Sequence, residues 1–235
     1  MKITDIHSHI LPGIDDGSRN SEMSLKMLSI MASSGVDVVC ATPHFYGNRI
    51  SAEHFLERRA RSFNALQEAM GDKRSNYPDI LLGAEVAFYS GLLKNNDIEK
   101  LCIGDTNTLL LEMPFIPWTD YEINQVADLC FNKKLNVIIA HIERYDDLAY
   151  DDMLERLLML PVYVQINAES LLHLRGRRKL LGMFKDGSAK LLGSDAHNLD
   201  SRAPNLMEGR RVIERKLGAD ALDRIDRCAQ ELLKI

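Results

Sequence analysis

The 235-residue chain lacks the features that would place it in several large classes of protein. Its four cysteines, Cys40, Cys102, Cys130 and Cys228, form no C-x-x-C pair, and none is followed by arginine six positions later. That excludes a redox dithiol motif and the C-x5-R phosphate loop of thiol phosphatases, and leaves reduced, mostly buried thiols. There is no signal peptide and no long apolar run, so a cytoplasmic location without direct membrane insertion is expected. A net charge of −5 offers no basic excess for following a nucleic-acid backbone, and no nucleic-acid partner is expected. Low-complexity tracts, linkers and internal repeats are absent too. At 46% hydrophobic and 27% charged, a chain of this length can bury one large core, so a single domain over residues 1–235 is expected.

What is present is a series of short, continuously apolar runs, each ending in a polar residue. Lys2 to Ile6 reads as a buried strand leading into His7 and His9, with Asp15 and Asp16 close behind. Val36–Thr42 ends at His44, Ile80–Ala84 at Glu85, and Thr108–Leu111 at Glu112. Val137–Ala140 ends at His141, Val162–Ile166 at Asn167, and Lys190–Ser194 at Asp195 with His197 two beyond. Helical patterns fall between most of them. Asn20-Ser21 caps a helix with Met23, Met27, Ile30 and Met31 at helical spacing, stopped by Gly35. A helix runs from about Ser51 to Met70, and Thr119 to Glu122 is a capping box. Two helices close the chain, Leu206–Leu217 and one carrying Leu222, Ile225, Ala229 and Leu232. Continuous apolarity means burial on both faces, hence a parallel sheet. Polar groups behind every strand favour a distorted TIM-like barrel of about seven β/α units over an open doubly wound sheet.

Five of the seven histidines, His7, His9, His44, His141 and His197, sit at strand ends, while His54 and His173 fall in predicted helices. His7 and His9 are two apart, so an extended backbone turns them to one side. With Asp16, Glu85, Glu112 and Asp195 they make nine His or carboxylate groups at one mouth. Burying that many ionisable groups needs compensation, and nine ligands exceed what one ion uses. Two or three divalent metal ions are therefore expected. The donor set admits Mn, Fe, Zn or Mg.

The runs Asp5-Ile6-His7-Ser8-His9, Asp15-Asp16-Gly17, Thr42-Pro43-His44, Gly83-Ala84-Glu85, Glu143-Arg144-Tyr145 and Ser194-Asp195-Ala196-His197-Asn198 carry a resemblance. Together they resemble the polymerase-and-histidinol-phosphatase (PHP) superfamily, and within it the manganese-dependent bacterial tyrosine-protein phosphatases of capsular and exopolysaccharide loci. The resemblance implies a three-metal ligand set of His7, His9, Asp16, His44, Glu85, Glu112, His141, Asp195 and His197, with Asp15 behind it. It implies Mn2+, phosphate-holding roles for Arg144 and Arg202, and a hydroxide bridging two ions that attacks phosphorus in line. The implied substrate is phosphotyrosine on a protein, on the tail of a cognate bacterial tyrosine kinase regulating capsule or exopolysaccharide synthesis. Ala203 departs from the family pattern, where a second proline is common.

Rival readings remain open at this point. A PHP phosphatase for a small phosphomonoester such as histidinol phosphate is the nearest. A nuclease of the same superfamily fits the acidic balance poorly, and a metal-binding module without turnover would need no phosphate-holding arginines. Phe45, Tyr46, Phe88, Tyr89, Phe115, Trp118 and Tyr145 lie near strand ends, as an aromatic rim or as a lid on the core. The basic run Arg175, Arg177, Arg178 and Lys179 reads as a solvated helix face or as a docking strip for an acidic tail.

Overall fold

A computed structural model describes residues 1–145 and 151–235. The expected strands appear at seven positions, two of them broken in two. They are β1 (Thr4–Ser8), β2 (Val38–Ala41) with β3 (His44–Phe45), and β4 (Asp79–Leu82) with β5 (Glu85–Ala87). They continue with β6 (Thr108–Glu112), β7 (Asn136–Ile139), β8 (Tyr163–Asn167) and β9 (Leu191–Gly193). Pro43, which has no N–H to give a ladder, lies in the first break, and Gly83 lies in the second.

Among the described residues all strand pairs are parallel. One sheet runs β1-β2-β4 and the other β3-β5-β6-β7-β8-β9. Each breaks into the other at the two split strands. The ring closes where β1 meets the end of β9, through Asp195 N to His7 O at 2.8 Å and His9 N to Ala196 O at 2.9 Å. A distorted seven-position β/α barrel results, with its strand carboxyl ends on one face.

Period-two alternation divides the core. Leu109, Leu111, Val137 and Ile139 pack with Met27, Leu28, Val126 and Leu129 of the surrounding helices. Leu110 and Ile138, on the opposite face of the same strands, cluster with Cys40, Leu191 and Leu232. Helix α1 (Ser21–Ser34) starts where Asn20 Oδ1 accepts from Met23 N at 2.9 Å, and ends at Gly35 with φ +99°. Its buried stripe is Ser24, Met27, Leu28 and Met31, so Leu28 takes the place expected for Ile30, which is exposed. Helix α2 (Ala52–Met70) is capped by Ser51, and α3 (Asp120–Phe131) by the Thr119–Glu122 box. Helices α4 (Asp151–Leu158), α5 (Arg177–Asp186), α6 (Leu206–Leu217) and α7 (Ala219–Leu233) complete the ring. The buried Arg210–Asp226 pair, two contacts of 2.6 and 2.8 Å, ties α6 to α7.

Candidate metal and phosphate site

His7 lies on β1 and His9 just beyond it, both fully buried, with Nε2 atoms 3.2 Å apart. Each ring is held from behind. His9 Nδ1 meets Asp15 Oδ2 at 2.7 Å, and Asp15 also accepts from the backbone N–H of Gly17 and His44, each at 3.0 Å. His7 Nδ1 meets Gln165 Oε1 at 3.2 Å, and the same oxygen accepts from His141 N at 2.9 Å. Such outer partners fix the tautomer and direction of a ligating imidazole. Gly17 is required by space, because a Cβ there would lie 2.4 Å from His9 Cβ.

The other strand ends bring their groups to the same point. Glu85 Oε2 is 3.3 Å from His7 Nε2, 3.2 Å from His9 Nε2 and 2.9 Å from His44 Nδ1. Its Oε1 is 2.8 Å from His141 Nε2, which Glu112 Oε1 approaches to 3.5 Å. Asp195 Oδ1 lies 3.4 Å from both His7 and His9 Nε2. Asp16 Oδ1 lies 3.5 Å from His44 and His197 Nε2. Three donor groups follow: His9, Asp16, His44 and His197; His7, His9 and Asp195; and His44, Glu85 and Glu112. Within each, the ligand atoms fall within 4.8 Å of one another. His141 adjoins the third through Glu85 and Glu112.

His141 Nε2 pairs with Glu85 Oε1 at 2.8 Å, but others of these atoms crowd together without pairing as hydrogen bonds. Glu85 Oε2 and His44 Nδ1 are 2.9 Å apart yet not aligned as donor and acceptor, and Asp195 Oδ1 and His197 Nε2 are buried without a hydrogen bond. Buried polar atoms aimed past one another at a shared point suit a central cation. Metal–ligand bonds of about 2.0–2.2 Å put neighbouring ligand atoms roughly 3–3.5 Å apart, as here. Nitrogen and oxygen donors without sulfur fit Mn, Fe, Zn or Mg.

Charge is correspondingly concentrated. Burial opposes protonation of His9, but Asp15, Asp195 and Glu85 outweigh it and raise its pKa well above the ordinary value. His141 behaves likewise, raised to about 9 by Glu112 and Glu85 against burial. Burial would raise Glu85 and Asp195, yet the surrounding histidines hold both well below the carboxylate range. His197 is pushed down to about 4 by burial and by the neighbouring His9. Beneath the site, burial raises Asp5 to about 6.

Two guanidiniums reach the same mouth. Arg144, in the 3-10 turn Ile142–Tyr145 after β7, places Nη2 2.6 Å from Asp195 Oδ2. Arg202, in the loop after β9, places Nη2 2.7 Å from that oxygen, which also accepts from Asn167 Nδ2 at 2.9 Å. Their side chains are 36% and 33% exposed, so further donors remain available to an anion at the mouth. Positive φ at two non-glycine residues, His141 (+33°) and Asp195 (+54°), marks local strain at the site.

The family model for capsular polysaccharide synthesis, CpsB/CapC, matches residues 3–234. The chain belongs to the CpsB/CapC family. The tyrosine-protein phosphatase CpsB of Streptococcus agalactiae serotype III is 26% identical over 242 residues, covering 98% of each chain. The tyrosine-protein phosphatase YwqE of Bacillus subtilis is 29% identical over 241 residues, covering 98% of this chain and 91% of YwqE. Among solved structures, a chain from the work on B. subtilis YwqE and Streptococcus pneumoniae CpsB, described as unique metal-dependent tyrosine phosphatases, superposes with a TM-score of 0.85. It is 25% identical and covers 99% of this chain and 94% of its own. The inactive dihydroorotase-like domain of a Chaetomium thermophilum CAD-like protein shares the fold alone, with a TM-score of 0.58 and 11% identity.

In this CpsB/CapC chain all nine expected donors and both expected arginines come together. Other expectations need correction. Of the rings read as rim or as core lid, Phe45, Trp118 and Tyr145 are buried in the core, and the Tyr145 ring also lies 5.8 Å from that of His141. Tyr46 and Phe115 do flank the site, stacked on His44 at 5.3 Å and on His141 at 6.2 Å between centroids. His173 lies in the loop before α5, not in a helix. Arg175 is in that loop as well, and the rest of the basic run begins α5, with Arg178 and Lys179 exposed. Gln165, the outer partner of two site residues, went unrecognised because a glutamine in an apolar strand carries no spacing signal.

Proposed function

We propose that this chain is a metal-dependent phosphoric monoester hydrolase acting on protein phosphotyrosine. His7, His9, Asp16, His44, Glu85, Glu112, His141, Asp195 and His197 would hold two or three divalent ions, with Mn2+ the resident metal. Bound there, such ions lower the pKa of water toward neutrality and polarise phosphoryl oxygens. Arg144 and Arg202 hold the phosphate, their planar forks matching its oxygens. Asp195 Oδ2, which also accepts from Asn167 Nδ2, orients those forks. Asp15 and Gln165 hold the histidine rings in place. The tyrosyl leaving group has a pKa of about 10 and departs with little protonic help, so no spare general acid is required. The natural substrate is the tail of a bacterial tyrosine kinase in capsule or exopolysaccharide synthesis.

The observation that carries this reading is three donor groups, overlapping through His9 and His44, beside two guanidiniums that both reach Asp195. It is tested with one peptide carrying phosphotyrosine, phosphoserine or phosphothreonine, with histidinol phosphate alongside, on metal-free protein reconstituted ion by ion. Highest catalytic efficiency on phosphotyrosine is expected. A clear preference for histidinol phosphate or phosphoserine would replace this reading with the small-substrate one.

A further inference from the structure

A hollow of about 690 Å³ opens beside the site, a size typical of ligand pockets. Asp16 and His44 form its inner end, and Tyr46, Arg49, His54 and Arg58 line it further out. A second hollow of about 310 Å³ shares Ile14 and Arg58 with the first and adds Arg61. The two make one groove along the first half of α2, where His54, Arg58 and Arg61 follow i, i+4, i+7 spacing on one helix face.

The groove is cationic on a chain whose net charge is −5. Among the described residues its acidic lining is Asp15, its side chain buried against His9, and Asp16, whose Oδ1 lies 3.5 Å from His44 and His197 while its side chain stays 66% exposed, so Arg49, Arg58 and Arg61 outnumber two carboxylates. Glu53, on a neighbouring face of α2, acts on Lys100 and does not line the groove. Among the described residues Arg49 and Arg61 meet no carboxylate. Arg49 instead lies over the Tyr46 ring, 5.1 Å from its centroid, and Tyr46 in turn stacks on His44. This ladder of rings and guanidinium leads from the site outward.

The groove is also held in shape. Arg58 Nη2 donates to Ile14 O at 2.7 Å, joining α2 to the loop after β1. Gly47 packs so closely on Tyr89 that a Cβ would lie 2.3 Å from its ring. From His54 to Arg58 is about 6 Å along the helix, close to the roughly 6.6 Å between alternate side chains of an extended peptide. Alternate acidic residues of one strand would thus match the His54–Arg58 step, while the three-residue Arg58–Arg61 step, about 4.5 Å, lets the long Arg61 side chain reach the next one.

We infer that this groove docks carboxylate-bearing residues flanking the phosphotyrosine, so that the preferred protein substrate is acidic beside its phosphorylated residue. The inference rests on the phosphotyrosine reading above. Its test uses two phosphotyrosine peptides that differ only in flanking Glu and Asp or Gln and Asn, with p-nitrophenyl phosphate as a substrate that has no flanks. The reconstituted wild-type protein prefers the acidic peptide at low salt, and the preference shrinks at high salt. Arg49→Ala and Arg61→Ala each lower kcat/KM on the acidic peptide about two- to fivefold, as surface ion pairs do. Turnover of p-nitrophenyl phosphate is unchanged in both, and Arg49→Glu with Arg61→Glu abolishes the preference. Equal efficiency on both peptides, or an equal fall with p-nitrophenyl phosphate, overturns the inference. Failure to hydrolyse any phosphotyrosine would instead overturn the proposed function. In that case anisotropy of a labelled, unphosphorylated acidic peptide decides for the groove: weaker binding by the double Glu variant supports it, and equal binding overturns it.

Discussion

Replacing Arg144 by alanine isolates phosphate binding from metal binding. Its Nη2 lies 2.6 Å from Asp195 Oδ2, so the change could disturb a metal donor as well as an anion contact. The geometry separates the two effects, because the same oxygen keeps Arg202 Nη2 at 2.7 Å and Asn167 Nδ2 at 2.9 Å. Asp195 therefore stays oriented and its charge stays compensated. On the proposed role of Arg144, what is lost is one charge-assisted contact to phosphate, about 1.5–3 kcal/mol. Because 36% of the Arg144 side chain is exposed, solvent screening places the loss in the lower half of that range. The expected fall in kcat/KM on a phosphotyrosine peptide is then about 10- to 50-fold. Phosphate release measured beside elemental analysis checks both halves. An Arg144→Ala variant within twofold of wild type (a change of about 0.4 kcal/mol), or one that has shed metal, would refute the reasoning.

Three further outcomes are expected. Burial pushes the Cys102 thiol up to about 12 and those of Cys130 and Cys228 up to about 11, so at neutral pH all three stay protonated and unreactive. Iodoacetamide should leave activity intact, and inactivation that phosphate prevents would restore a thiol mechanism. Gly193→Ala places a Cβ 2.8 Å from His7 Cβ and 3.1 Å from Gln165 Nε2. The variant should fold with a loss of about 1–3 kcal/mol and bind less metal, and unchanged metal content would count against His7 as a ligand. Saturating Mn2+ at about 100 times its Kd adds about 2.7 kcal/mol to the metal-free protein, or roughly 5–10 °C in Tm at this size. A Tm indifferent to Mn2+ would contradict the ligand set.

The site was more legible in the sequence than the details of the fold around it. Strand ends are marked by a switch from apolar to polar residues, and a parallel barrel sends all of them to one face, so His44, Glu85, Glu112 and Asp195 could be grouped before any coordinates. Helix caps were equally local, as Asn20, Gly35 and Thr119 illustrate. Less legible was whatever depends on which neighbour fills a space. Phe45 and Tyr145 stand one or four residues from a donor, like the rim rings, but turn into the core. Ile30 satisfies a helical stripe, yet Leu28 is the residue that meets the sheet. Gln165 acts on His7 from behind, and Asp5 accepts from Ser194 N after β9, contacts that exist only once β8 and β9 have joined the ring.

Turnover is proposed to need a multinuclear metal site. Metal-free protein titrated with Mn2+, with bound metal counted by elemental analysis and phosphotyrosine hydrolysis followed in the same samples, tests it most directly. Activity that reaches its maximum only beyond one bound ion per chain is the predicted result. Full activity at one ion per chain, or without any, would contradict it.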